Sequence, residues 1–425
     1  MNAPVVLVDP YSSGVALGRA LRRAGFDTHA VLSSPAPAPE YTKTFQPADH
    51  AGVVSAGVTS AGPGFDRVLQ LVRAIGPVAV IPGAESGVEL ADALAAELTP
   101  ELANDPARSH ARRDKAAMMA TLRAAGIPTV RTLAVTEAEG CAARAAEQGL
   151  SAAGDLVVKP ARSSLSDGLT LVPAGGDLEA AVRSVLGARN LLGSVNETVL
   201  VQERIHGTEY VVDTFTEHGR HIVTNICRYT KVAVGDSFAV YESTDFLPED
   251  APETPVLVAY VRQVLDALGV RFGPCHSEVM LTEDGPRLME TGARLAGAGL
   301  PGACELATGS SAISRYLDRL HGQPQDTRDY VLQRRVRGVY LVFRTPGTVT
   351  NTAVLDRIRV LPSCRHLHLG LSEGDPVAPT TGLMSTMTRG WALLAHRDPA
   401  RVERDHAEFR RIEAELKVVE HGALQ

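Results

Sequence analysis

The stretch that decides the reading is Pro274-Cys-His276-Ser-Glu278-Val-Met280-Leu-Thr-Glu283-Asp-Gly285-Pro-Arg-Leu288-Met-Glu290-Thr-Gly292-Ala-Arg294-Leu-Ala-Gly-Ala298-Gly299. Glu283-Asp284-Gly285 is a turn signal between two short apolar runs, so the segment predicts a β-hairpin. A three-residue loop places Glu278 opposite Glu290, Met280 opposite Leu288 and His276 opposite Gly292, with Arg294 continuing the same face. Opposed residues on paired strands have Cβ atoms about 4.5–5.5 Å apart, and like charges there destabilise the pair. A divalent cation between the two carboxylates resolves the repulsion. Hard oxygen ligands on rigid strands suit Mg²⁺, with phosphate completing its shell. A register one residue different, or two solvated glutamates on an exposed face, gives the hairpin no such role.

The basic residues number 42, yet only five are lysines: Lys43, Lys115, Lys159, Lys231 and Lys417. A lysine retained against such an arginine bias can mark a site that needs a compact ammonium, although chance explains any single one. Three of them fall in contexts that make joint sense with the hairpin. Lys159 ends the strand-like run Asp155-Leu-Val-Val-Lys159-Pro160 and precedes Ala161-Arg-Ser-Ser164-Leu-Ser166-Asp-Gly168. Backbone N–H groups and hydroxyls of such a small-residue loop can wrap polyphosphate. Lys115 lies in Ser109–Ala125, which the pattern predicts as one helix closed by Gly126. Lys231 sits in a strand-like run beginning at Ile226. Between these lies Thr198-Val-Leu-Val-Gln202-Glu203-Arg-Ile205-His-Gly207-Thr-Glu209-Tyr-Val-Val-Asp213, a buried-type strand, a bend at Gly207 and a second strand.

Lys115, Lys159-Pro160 with its serine-rich loop, the Gln202–Glu209 motif, Glu278 and Glu290-x-Gly292-x-Arg294 together resemble the ATP-grasp superfamily across roughly residues 109–325. Within it the chain is most similar to the ATP-dependent L-amino acid ligases of the bacilysin- and dapdiamide-synthesising type. Gly374-Asp-Pro-Val-Ala-Pro-Thr-Thr and Trp391-Ala-Leu-Leu-Ala-His resemble the C-terminal domain of those ligases. The resemblance implies that Lys115, Lys159, Ser164, Ser166 and Gly168 meet the ATP phosphates and Lys231 the terminal ones. Gln202, Glu203 and Ile205 would meet adenine, and Glu209 the ribose. Glu278 and Glu290 would bind Mg²⁺ (Mn²⁺ as a substitute), and Arg294 would stabilise the moving phosphoryl group. Two departures stand out. Gly292 replaces an Asn that ligates metal in many relatives, and His276 stands where D-alanine ligases carry Arg. His276 is read either as a donor to the phosphoryl group or as a satisfied strand-end histidine.

The implied fold class is α/β and α+β, in three parts. Val5–Val8, the helical stripe to Gly25 and Thr28–Leu32 form a βαβ unit, repeated around Val78–Pro82 and the helix 88–98. Residues 1–108 therefore read as an open parallel α/β domain. An ATP-grasp domain (109–325, lid about 128–201) and a C-terminal α+β domain (326–425) follow. No Gly-x-Gly-x-x-Gly opens the first helix, so a Rossmann dinucleotide site is rejected. Glu85, at the end of a parallel strand, is placed to hold a substrate ammonium, or it serves only the helix dipole. Arg228, Tyr229 and Tyr241 are candidate substrate contacts, and Ala298 is expected to border the acceptor. The charged helix 400–416 reads as a solvated face with i,i+4 pairs.

Hydrophobic content of 44% and charge of 21% are those of a globular protein. A net charge of −7 argues against nucleic acid or an anionic membrane as partner. Five scattered cysteines, no apolar run of membrane-spanning length and no secretory leader predict a cytoplasmic protein. Joining a carboxylate to an amine in water is uphill, and transfer of the ATP γ-phosphoryl to the carboxylate overcomes this through an acylphosphate. The expected activity is an ATP- and Mg²⁺-dependent ligation of two amino acids in secondary metabolism, with the resemblance implying a homodimer. The alternatives are a non-amino-acid amine as acceptor, or a catalytically silent ATP-binding module.

Overall fold

The computed structural model describes residues 2–150, 154–164, 167–235 and 237–419. The chain begins with four parallel strands in the order Gly52–Ser55, Asp27–Leu32, Pro4–Val8, Ala79–Pro82. The order reverses between Pro4–Val8 and Ala79–Pro82, so the loops leaving these two strands diverge around a crevice. They touch through glycine. A Cβ on Gly14 would lie 2.5 Å from the Gly83 carbonyl oxygen, and one on Gly83 would lie 2.6 Å from Pro10 Cα. Glu85 follows directly, so this contact fixes where its carboxylate emerges.

Strands Thr132–Val135, Val199–Glu203, Leu156–Pro160 and Thr170–Val172 form a small antiparallel sheet, in that order. Its helices Cys141–Glu147 and Leu178–Val185 bury Cys141, Ala145, Leu178 and Val182 against Val158, Val199 and Val201. Beyond it lies an eight-stranded sheet built around Thr208–Glu217, Arg220–Val234, Ser237–Phe246 and the hairpin Gly273–Thr282/Gly285–Gly292. One face is packed by Met118, Met119 and Leu122 and by Leu257, Val261, Val264 and Leu265 of the helix Thr254–Ala267. Three strands from the last hundred residues, Arg335–Tyr340, Gly390–His396 and Cys364–Leu369, extend this same sheet.

The hairpin carries a correction. Glu278 does face Glu290, and His276 faces Gly292, but Met280 pairs with Arg287 and Leu288 with Val279. The turn is the two-residue Glu283-Asp284, closed by the Thr282–Gly285 pair, and a bulge inserts Met289 into the second strand. The shorter loop shifts the register by one residue and the bulge shifts it back before the carboxylates.

Two further expectations change. Ser109–Ala125 is not one helix: a short 3₁₀ turn, His110–Arg112, precedes the α-helix Lys115–Ala124. Asp114 interrupts it in extended geometry, its carboxylate accepting from the N–H groups of Ala116 and Ala117 as an N-cap. The charged helix spans Pro399–Ala414 and is not merely solvated. Asp405 is buried and accepts from Ser363 N, while Arg410 donates to the carbonyls of Tyr340 and Glu242. Its i,i+3 and i,i+4 pairs exist beside these tertiary anchors.

Arg112 ties the first domain to the end of the helix Thr254–Ala267. Its side chain is fully buried, pairs with Asp92 at 2.7 Å and donates to the carbonyls of Asp105 and Leu268. Removing it leaves Asp92 buried and unpaired, so Arg112→Ala should cost about 3–5 kcal/mol. Urea denaturation should show that loss, whereas an exposed control such as Arg359→Ala should stay within about 0.5 kcal/mol.

Candidate active site

Side chains alternate across a strand, so residues two apart share a face. Glu209, Val211 and Asp213 on one strand therefore lie beside His276, Glu278 and Met280 on the next, and Glu290 and Gly292 on the third. Cys227, Tyr229 and Lys231 continue the face on the other side. This face, the small sheet and the loops of the parallel sheet enclose a cavity of about 600 Å³. It is bordered by Glu85, Lys159, Ser164, Gln202, Glu203, Ile205, Glu209, Arg228, Tyr229, Lys231, His276, Glu278, Glu290, Arg294 and Ala298. Lys115 stands just behind, bonded to Glu290. Gly168 is exposed, with φ +69°, outside the lining, and Ser166 falls outside the described residues.

The carboxylate pair is surrounded by cations from separate segments. Lys115 Nζ pairs with Glu290 Oε2 at 2.8 Å and donates to the Ser163 carbonyl at 2.5 Å. Burial pushes the Glu290 carboxyl up, but Lys115, then Lys159 and Arg294, hold it below the ordinary range. Lys159 donates to the carbonyl of the bulged residue Met289 at 3.5 Å. Burial and then the neighbouring Lys115 lower the Lys159 pKa to about 8. Lys231 donates to both carboxylate oxygens of Glu209 at 2.8 Å and lies 4.3 Å from the centre of the Tyr241 ring. Burial drives the Glu209 carboxyl up against the pull of Lys231.

His276 Nδ1 lies 2.7 Å from Asp213 Oδ1, and its Nε2 faces Glu278 Oε1 at 3.6 Å. Burial opposes its charge, yet the Asp213 ion pair, and then Glu278, hold its pKa at about 10. Arg294 Nε donates to Glu85 Oε2 at 2.8 Å, and Arg113 Nη1 approaches Glu85 Oε1 at 3.7 Å. Glu85 thus lies between two guanidiniums. A Cβ on Gly292 would come within 2.9 Å of Glu85 Oε2. The glycine leaves room for the Glu85–Arg294 pair.

At the far end the hinge, the segment from Gln202 to Gly207 that links the small sheet to the large one, presents less side-chain polarity than its sequence suggests. Gln202 Nε2 is spent on Thr132 Oγ1 at 2.8 Å, and Glu203 on Arg131 at 2.6 Å. Backbone groups and Ile205 are left facing the cavity there, while Arg204 covers the Phe238 ring at 5.1 Å. Sequence reasoning missed Ser12, Ser13, Tyr41 and Leu383, all bordering the cavity, as well as Arg113 and Asp213. Asp213 had a signal, a lone carboxylate in an apolar run. Leu383 had none.

Among the described residues no three His, Cys, Asp or Glu side chains converge as a metal cage. Two opposed carboxylates without a third protein ligand fit a cation that keeps waters and takes phosphate oxygens, as Mg²⁺ does. Their separate counter-cations leave carboxylate oxygens directed at one cavity.

A hinged small sheet over an antiparallel sheet, with lysines and paired carboxylates between them, defines an ATP-grasp enzyme. Residues 153–302 match the ATP-grasp domain family. The chain is 30% identical over 347 residues to dapdiamide A synthase of Enterobacter agglomerans, covering 80% of each chain. In fold it is similar to an L-amino acid ligase from Bacillus licheniformis, with TM-score 0.72 and 18% identity over 99% of both chains. It is also similar in fold to a carboxyaminoimidazole ribonucleotide synthase from Aspergillus clavatus solved with ATP, with TM-score 0.68, 13% identity and 98% and 99% coverage. The chain belongs to the ATP-grasp superfamily and is an ATP-dependent ligase that forms C–N bonds between small-molecule carboxylates and amines, using a divalent metal.

The depressed Lys159 has a measurable consequence. At about pH 8.5 more than half of Lys159 is neutral, and phosphate oxygens placed beside it would restore the charge, so ATP binding in this cavity should take up a proton. Calorimetric binding enthalpies in buffers of different ionisation heat should reveal the uptake, and Lys159→Arg should remove it.

Proposed function

We propose that this enzyme joins the carboxylate of one amino acid to the amine of a second, giving a dipeptide, ADP and phosphate, in secondary metabolism of the antibiotic type. The observation that carries this reading is the single cavity shared by the opposed Glu278 and Glu290 and the Glu85–Arg294 pair. One end offers cations and carboxylates for ATP. The other is built by loops of the parallel sheet, where such folds receive small ligands. The relationship to dapdiamide A synthase supports it.

In this reading Lys115, Lys159, Ser164 and the loop through Ser166 and Gly168 orient the α- and β-phosphates. Lys231 serves the terminal phosphates and Glu209 the ribose, and Gln202, Glu203 and Ile205 border adenine mainly through backbone. Glu278 and Glu290 hold the metal, taken as Mg²⁺ with Mn²⁺ able to replace it. When bound there, the metal would supply positive charge that offsets the charge developing in phosphoryl transfer. Arg294 keeps one nitrogen free after bonding Glu85 and the Leu295 carbonyl, and presents it to the transferring phosphoryl oxygens. His276 faces the same centre. Glu85 takes the ammonium of the donor amino acid, held in place by Arg113 and Arg294. Arg228, Tyr229, Ala298 and Leu383 border the acceptor. Three domains, 1–108, 109–325 and 326–425, divide these tasks. Five unpaired cysteines, four of them buried, suit a reducing cytoplasm. Among the described residues no helix is long and apolar enough to cross a membrane. The working unit is taken as a homodimer.

Hydroxylamine tests the reading. With the correct donor amino acid, ATP and Mg²⁺, it should trap the acylphosphate as a hydroxamate, with ADP released in step. Glu290→Gln should cut this at least about 100-fold, because phosphoryl transfer depends on charge stabilisation at that position. If no amino acid yields hydroxamate although ATP binds, the enzyme does not activate amino acids.

Leu383 reaches the cavity from the last hundred residues and shares its wall with Ala298 and Leu300. Leu383→Trp should shift acceptor preference toward small amines, lowering kcat/KM for bulky ones about 10-fold or more while the KM for ATP stays put. Competition between paired acceptors reads this out directly.

A further inference from the structure

Register places Asn225, Asp213, His276 and Gly292 in one row across four neighbouring strands. Asp213 is 7% exposed, and both its oxygens are engaged. Oδ2 accepts from Asn225 Nδ2 at 2.9 Å, while Oδ1 meets His276 Nδ1 at 2.7 Å. A carboxylate buried in the middle of a sheet is costly, and strand packing alone gives no reason for one here. Its two bonds hold the imidazole. With Nδ1–H committed to Asp213, the ring is fixed in plane and Nε2, 3.6 Å from Glu278 Oε1, is the atom turned to the cavity. At the end of the row, Gly292 contributes no side chain, and the Glu85 carboxylate and Arg294 guanidinium fill the space one would need.

We propose that Asp213 is a positioning residue for the ligation: it holds His276 so that Nε2–H donates to the carbonyl oxygen of the acylphosphate as the amine attacks. This rests on the ligase reading above. In that step the C–N bond forms and the carbonyl electron pair moves onto oxygen. The pair returns as the C–O bond to phosphate breaks, and the proton on nitrogen leaves with the phosphate. The oxygen facing His276 carries the transient negative charge, so the hydrogen bond strengthens in the transition state rather than in the ground state. Asn225 completes the arrangement by fixing the second oxygen of Asp213, which prevents the carboxylate from rotating away.

A double-mutant cycle on the full-length enzyme separates this role from simple structural support. Asp213→Asn should lower kcat for dipeptide formation on the order of 10- to 100-fold, as for carboxylates that orient metal-ligating histidines, with KM for ATP changed less than about twofold. In a His276→Gln background, adding Asp213→Asn should change kcat by no more than about twofold. Equal losses in both backgrounds would show that Asp213 does not act through His276, and kcat within about threefold of wild type in Asp213→Asn would overturn the proposal outright. Should Asp213→Asn fail to fold, Asn225→Ala should give the same dependence on His276 at smaller amplitude, and its absence sinks the idea equally. A wild-type enzyme that forms no hydroxamate refutes the ligase reading and this proposal with it. A normal hydroxamate yield with a silent Asp213 refutes the proposal alone.

Discussion

Two carboxylates held opposite each other on adjacent strands, inside a cavity, set the terms for everything around them. Glu278 and Glu290 cannot move apart without breaking the hairpin, and burial strengthens their repulsion. The chain answers with cations, two of them delivered from distant segments. Lys115 arrives from the start of a capped helix, Lys159 from the small sheet and His276 from the same strand as Glu278. Each cation then has its own anion or carbonyl, so the cluster is a network rather than a set of independent pairs. Docking of the small sheet and of the Arg113-Asp114-Lys115 segment is tied to this charge balance, since both bring an ammonium to the same strand edge.

Arg113-Asp114-Lys115 shows how a local choice serves two ends of the site. Asp114 stops the 3₁₀ turn in extended geometry and caps the following helix. The residues on either side therefore leave the backbone in different directions. Arg113 reaches Glu85 and Lys115 reaches Glu290. A continuous helix would have set them about 200° apart around one axis, without the offset the extended residue provides. The helical pattern of Met118, Met119 and Leu122 was readable, but the cap was not, because Asp114 looked like an ordinary polar helix residue.

Legibility followed the physics of each element. Alternation and β-branched runs located the strands, and the motif from Gln202 to Glu209 located the hinge. The facing of Glu278 and Glu290 was readable even though the loop length was not, because the bulge at Met289 offset the shorter turn. That bulge has a use: it offers the Met289 carbonyl to Lys159. Contacts between segments far apart in the chain were invisible. Ser13 Oγ donating to the Ala296 carbonyl at 2.6 Å joins the first parallel-strand loop to the segment after Arg294, and no periodicity announces such a contact. Leu383 is the extreme case, an ordinary leucine brought to the cavity only because three late strands extend the central sheet.

Gly292 is where sequence and structure together say more than either alone. From sequence it looks like a lost ligand, a glycine where many relatives place an amide side chain. In the fold the space that side chain would need is taken: its Cβ would meet the Glu85 carboxylate at 2.9 Å and the Arg294 guanidinium at 3.4 Å. Glu85 comes from the parallel sheet more than two hundred residues earlier, and the Gly14–Gly83 contact fixes its point of exit. An amide at 292 would therefore push the end of the Glu85 side chain away from its present place on Arg294. The chain has set the Glu85–Arg294 pair where that side chain would stand, beside the opposed Glu278 and Glu290.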